Sequence, residues 1–203
     1  MTNKTIMTKS SLYILLIFNL IVNYLSSAQT SDDWWIMKDV YTLQTAQSVH
    51  PDSVYILAIS ESDYFSETQV LKFKNIARID FWGIAFNDTD LDFLSKFKLL
   101  ESLSIQESNI SKIPLVVYKL SKLKYLNLPF NKISSVDSCI CNMKGLVSIH
   151  LSGNMIKEIP ICILELKDSL EYLYLGGNLM NDEYLNWLRI QLPNTRISGG
   201  ASN

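Results

Sequence analysis

The strongest constraint in this chain is a repeat. The frame LxxLxLxxN recurs as Leu123-Lys-Tyr-Leu126-Asn-Leu128-Pro-Phe-Asn131, Leu146-Val-Ser-Ile149-His-Leu151-Ser-Gly-Asn154 and Leu170-Glu-Tyr-Leu173-Tyr-Leu175-Gly-Gly-Asn178. Weaker copies begin at Leu100 (with Leu103 and Ile105), Ile76 (with Ile79 and Phe81) and Val54 (with Leu57 and Ile59). Starts at 54, 76, 100, 123, 146 and 170 fall 22 to 24 residues apart, so the spacing persists where the letters drift. At that period each unit cannot bury its apolar face alone and must stack on its neighbours. Apolar residues at positions 1, 4 and 6 of the unit describe a short strand whose inward side chains enter a shared core, while positions 3, 5 and 7 face the other way.

Composition agrees with one folded domain: 203 residues, 48% hydrophobic and 19% charged, supply a sizeable core. A formal charge of -2 argues against a nucleic-acid binder, which normally carries a basic excess. With 7 Gly and 5 Pro the chain is not collagenous or Pro-rich, and 3 Cys are too few for a disulfide-stapled miniprotein.

The first residues read as a targeting leader. Lys4 and Lys9 precede an apolar run from Leu12 to Leu25, and Ser26-Ser27-Ala28 follows with small residues. Residues 1–28 are therefore expected to be a signal peptide cleaved before Gln29. The alternative is an uncleaved anchor, which the short run, interrupted by Asn19 and Asn23, disfavours against the roughly 20 apolar residues of a bilayer span.

On these residues the chain resembles the leucine-rich repeat family, in particular its exported bacterial members, over nearly all of residues 54–180. The resemblance implies an α/β solenoid: an arc with a parallel concave β-sheet, an N-terminal capping helix over 29–53, six repeats over 54–180 and a C-terminal helix and strand cap over 181–203. Asn131, Asn154 and Asn178 are expected to form a structural ladder, each amide bonding its own loop backbone and that of the neighbouring unit. Ser108, Ile84 and Ser62 hold that position earlier and interrupt it. Ser31-Asp32-Asp33 would cap a helix bearing Ile36, Val40, Leu43 and Ala46 on one face. Asn87-Asp88 and Asn181-Asp182 would start convex helices, and Ile197 could add an edge strand.

Concave positions carry whatever binding the chain performs, because their side chains do not serve the core. Tyr125, Asn127, Phe130, His150, Tyr172 and Tyr174 should converge on the last three strands, either as a binding cluster or as rings packed on one another. Arg78, Asp80 and Trp82 share one strand face, and a salt bridge between the first two accounts for them equally well. Cys139 and Cys162 each lie 16 residues after their repeat's first Leu, so they share a column; they are either bridged, leaving Cys141 free, or all three cysteines are reduced. Asn87 and Asn109 stand in glycosylation acceptor triplets.

No zinc spacing and no phosphate loop is present, and His50 and His150 are far apart, so no cofactor, metal or catalysis is expected. The function expected is an exported module binding a protein or other macromolecule, not nucleic acid, and meeting a membrane only during export. The alternatives are a membrane-tethered adhesion or signalling ectodomain and, remotely, a hydrolase built around His150.

Overall fold

The computed structural model describes residues 39–200, apart from 62, 64 and 87–89. Eight strands run in chain order through one parallel sheet: β1 (Val40–Thr42), β2 (Ile56–Ser60), β3 (Arg78–Trp82), β4 (Ser102–Gln106), β5 (Tyr125–Asn127), β6 (Ser148–His150), β7 (Tyr172–Tyr174) and β8 (Arg196–Ser198). Register follows the repeat: Leu57 pairs with Ile79, Ile79 with Leu103, Leu103 with Leu126, Leu126 with Ile149 and Ile149 with Leu173. Equivalent positions are therefore direct neighbours, and the sheet of the described residues does not close on itself.

The three apolar columns, starting from Val54, Leu57 and Ile59 and ending at Leu170, Leu173 and Leu175, are sealed, with no member more than 2% exposed. Each strand returns over the convex side through a short element. α1 (Leu43–Ala46) and α2 (Glu67–Val70) are single helical turns, and 3-10 helices span Asp92–Lys96, Val117–Lys119, Ser138–Asn142 and Ile161–Leu166. Units this short leave no room for longer helices. Pro114 and Pro160 set the preceding backbone extended, and Pro160 N-caps the Ile161–Leu166 turn. α3 (Asp182–Gln191) is the long exception. Asn181 accepts from Tyr184 N at 2.7 Å, Asp182 and Glu183 occupy the positive first turn, and Leu185, Leu188 and Leu192 cover the last coil. The Tyr184 hydroxyl pins this helix to the fifth repeat, accepting from Ile159 N and donating to Ile159 O, both at 2.9 Å.

At the N-terminal end the expected capping helix is corrected. Val40 belongs to β1, paired with Ile56, and the helix starts only at Leu43. Thr42 is the reason: its hydroxyl accepts from Thr45 N and the Thr45 hydroxyl accepts from Thr42 N, a reciprocal cap that forces the chain extended before it. Leu43 and Ala46 are buried as foreseen. Ser31, Asp32, Asp33 and Ile36 lie outside the described residues, as do the leader and Asn87-Asp88. The convex helix expected after Asn87-Asp88 is a 3-10 helix, Asp92–Lys96.

The cysteine pairing is likewise corrected. The bridge joins Cys141 to Cys162 with Cα atoms 5.7 Å apart, and Cys139 is the exposed free thiol. Cys139 and Cys162 do share a column, but side chains in one column of stacked turns point the same way rather than at each other. Cys141, two residues further around its 3-10 turn, faces the next coil and is 3% exposed. Hydrogen bonding to Asp137 holds the Cys139 thiol above its ordinary pKa, so it is a poor nucleophile toward the neighbouring bridge.

Candidate concave binding face

The sheet positions the expected site residues in two rows. In the position-5 row Asn127 pairs with His150 and His150 with Tyr174. The His150 ring meets Tyr174 edge-on at 5.1 Å, and all three side chains are half-buried. Burial drives the His150 pKa down from 6.5 to about 4, so its imidazole is neutral at physiological pH. In the position-3 row Tyr125 pairs with Ser148 and Ser148 with Tyr172.

Of the two readings of these tyrosines, ring packing describes this row: Tyr125 is 4% and Tyr172 8% exposed. Tyr172 lies parallel to the Tyr174 ring at 6.2 Å, with the Arg196 guanidinium 5.8 Å from its centroid. These contacts use its surface internally, as in the ring-packing alternative.

Phe130 stands apart on the rim, 60% exposed. Its φ of 55° is left-handed, a conformation that costs a bulky residue on the order of 1–3 kcal/mol. The ring lies over Gly153, where a Cβ would come within 2.5 Å of Phe130 Cδ1, so only glycine fits beneath it. This belongs to a column that the sequence reading missed. Position 8 is left-handed at Gly83, Glu107, Phe130, Gly153 and Gly177. The three glycines were the available signal, hidden because Glu107 and Phe130 interrupt them.

Earlier along the face, Arg78 Nε donates to Asp80 Oδ1 at 3.0 Å and Oδ2 at 2.9 Å, so this pair is a salt bridge. Trp82 is half-buried with its Nε1 enclosed and without an acceptor among the described residues. The Asn ladder lies just behind the rim. Asn131 Oδ1 accepts from Ser108 N at 3.0 Å, and its Nδ2 donates to Ile105 O at 2.8 Å. Asn154 links Ile133 N, Leu128 O and Leu151 O; Asn178 links Ile156 N, Leu151 O and Leu175 O.

Clefts of about 320 Å³ (around Leu43, Gln69 and Phe73) and about 490 Å³ (around Asn178, Asn181 and Leu185) lie toward the ends, away from the His150 row. Among the described residues no group of three His, Cys, Asp or Glu side chains converges as metal ligands would, and no helix is long and apolar enough to cross a membrane.

Residues 98–156 match the family described as leucine rich repeat. No curated protein sequence matches the chain. Solved structures are similar in fold. A leucine-rich repeat protein of Leptospira interrogans is 21% identical with a TM-score of 0.54, over 71% of this chain and 36% of that one. An internalin (inlF) of Listeria monocytogenes is 18% identical with a TM-score of 0.57, over 75% of this chain and 50% of that one. Internalin C2 of the same organism is 13% identical with a TM-score of 0.52, over 80% and 77%. The chain thus spans half or less of the first two structures. Residues 98–156 thus match the leucine-rich repeat family, and the stacked parallel coils on either side of them continue the same architecture.

Proposed function

We propose that this chain is an exported binding module that holds a protein partner on its concave sheet near the rim of the fourth to sixth repeats. The observation that carries this reading is Phe130, a large apolar ring kept exposed in a strained backbone conformation above a glycine. The left-handed backbone is common to that column, but three of its five members are glycine and the buried core gains nothing from a ring there, whereas a contact residue gains from presentation on a rigid scaffold. Asn127, His150 and Tyr174 supply adjacent polar and aromatic surface in fixed register. Leucine-rich repeat domains as a class bind proteins through such faces.

Export is supported by the leader pattern of residues 1–28, the Cys141–Cys162 bridge, which persists in oxidising compartments, and the likeness to internalins. A photo-crosslinking residue at Phe130 of the full chain, in its native host, is expected to capture a protein adduct that the same residue at the exposed Ile190 does not. Equal adducts from both, or adducts from Ile190 alone, would overturn the concave reading. Recovered protein beginning at Gln29 supports cleavage and export, whereas protein beginning at Met1 in the membrane fraction supports the tethered alternative.

A further inference from the structure

The near-neutral charge of the whole chain hides a local asymmetry. Four successive coils enter their strands through a tight turn anchored by a buried side chain: Phe73, Phe97, Leu120 and Met143. Backbone bonds close three of them: Leu100 N to Phe97 O at 3.3 Å, Leu123 N to Leu120 O at 3.0 Å and Leu146 N to Met143 O at 3.0 Å. Such a turn throws its two middle residues outward. In all four turns one of those residues is a lysine: Lys74, Lys98, Lys122 and Lys144. The residue before the anchor is again lysine in three of them: Lys72, Lys96 and Lys119.

All seven are exposed. Because β3 to β6 are neighbours in register, the turns line up along the edge of the sheet where strands begin, about 4.8 Å apart where they join it. Lys144 Nζ pairs with Glu165 at 2.8 Å. Among the described residues none of the other six is ion-paired, and Lys98 Nζ donates only to Ser95 O. Toward both ends of the row acids enter the turns, Asp52 before β2 and Asp168, beside the exposed Lys167, before β7.

We infer that this edge binds a linear acidic polysaccharide running across the turns that precede β3 to β6. Like charges gathered along one edge repel one another, and a ligand of opposite charge relieves that repulsion. The stripe is narrow, about two side chains wide, which suits a chain rather than a bilayer plane. Lysine ammoniums are compact point charges, and no exposed aromatic ring stands in these turns to stack a base, which favours carboxylate or sulfate groups on a sugar chain over nucleic acid.

The probes are dextran sulfate and polygalacturonate, with phosphatidylglycerol vesicles and a single-stranded DNA oligonucleotide as competing classes, titrated into the full chain. Binding to at least one polysaccharide is expected, weakening steeply with added salt. K98E/K122E should bind about 10-fold or more weakly at about 100 mM salt, whereas K132E/K157E, an identical charge change past the far ends of the strands, should lose about 2-fold or less. Thermal unfolding of both variants checks the fold. Equal losses in the two variants, no polysaccharide binding even at about 50 mM salt, or tighter binding to vesicles or DNA would overturn the inference. This edge is separate from the concave rim, so neither experiment decides the other.

Discussion

The first three coils and the last three close their turns by different physics. Coils four to six use Asn131, Asn154 and Asn178, whose amides take up the position-6 carbonyls of their own and the preceding coil, and their strands are three residues long. Coils one to three lack that Asn and have five-residue strands, whose ladder continues through Glu61 N to Trp82 O and Gly83 N to Gln106 O. There the core between the strands and the convex return is filled by aromatic rings. Phe81 sits 5.1 Å from Phe86, 5.9 Å from Phe65 and 6.4 Å from Phe93, and Phe93 sits 6.2 Å from Phe97. A directional polar device demands one residue type at one place. Ring packing responds to area and volume and tolerates drift, which explains why the frame is sharp in one half and blurred in the other.

If that contrast holds, Phe81→Ala should be the most damaging change, opening a cavity among three rings at about 3–5 kcal/mol, read as a lowered midpoint in urea unfolding. Asn154→Ala should cost about 3 kcal/mol, because buried carbonyls of two coils and Ile133 N lose their partner, whereas Ser108→Ala in the corresponding place should cost about 1 kcal/mol. Similar costs for the two would break the comparison. Reducing the Cys141–Cys162 bridge should cost about 2–3 kcal/mol, and hydrogen exchange should show the loss concentrated in coils four and five.

The last effect is spread over a range of pH. His150 has a folded-state pKa of about 4 against 6.5 unperturbed, so the unfolded chain binds the extra proton. Stability should therefore fall as pH drops from about 6.5 toward 4, by at most about 1.4 kcal/mol per pH unit, and His150→Gln should flatten that limb.

The inward columns from Leu57 to Leu173 and the helix cap at Asn181 were legible because a period of two or of 3.6, or a cap side chain, leaves a local mark. Other features depended on information between coils. The spacing reports the column that Cys139 and Cys162 share, but which residue of a 3-10 turn faces the next coil is set by stacking, so Cys141 rather than Cys139 is bridged. Tyr125 and Tyr172 occupy outward strand positions, yet burial depends on what crosses above them, which a period of two does not report. Thr42 and Thr45 form a Thr-x-x-Thr cap whose Thr at the last place departs from the usual Glu or Gln, so the strand before it was mistaken for helix. The lysine row was invisible to net charge, since only the stacking brings Lys74, Lys98 and Lys122 side by side.

α3 also sends a side chain to β8. Arg189 bonds Ile197 O through Nε at 3.4 Å and Gly199 O through NH2 at 2.6 Å. In parallel pairing the bonds to β7 run through Arg196 N and Ser198 O, so the Ile197 carbonyl points to the open side. A guanidinium therefore stands where another strand would dock, and self-templated fibre growth from this rim is blocked by one cation. An engineer wishing to splice additional coils after Ser198 would have to evict Arg189 first.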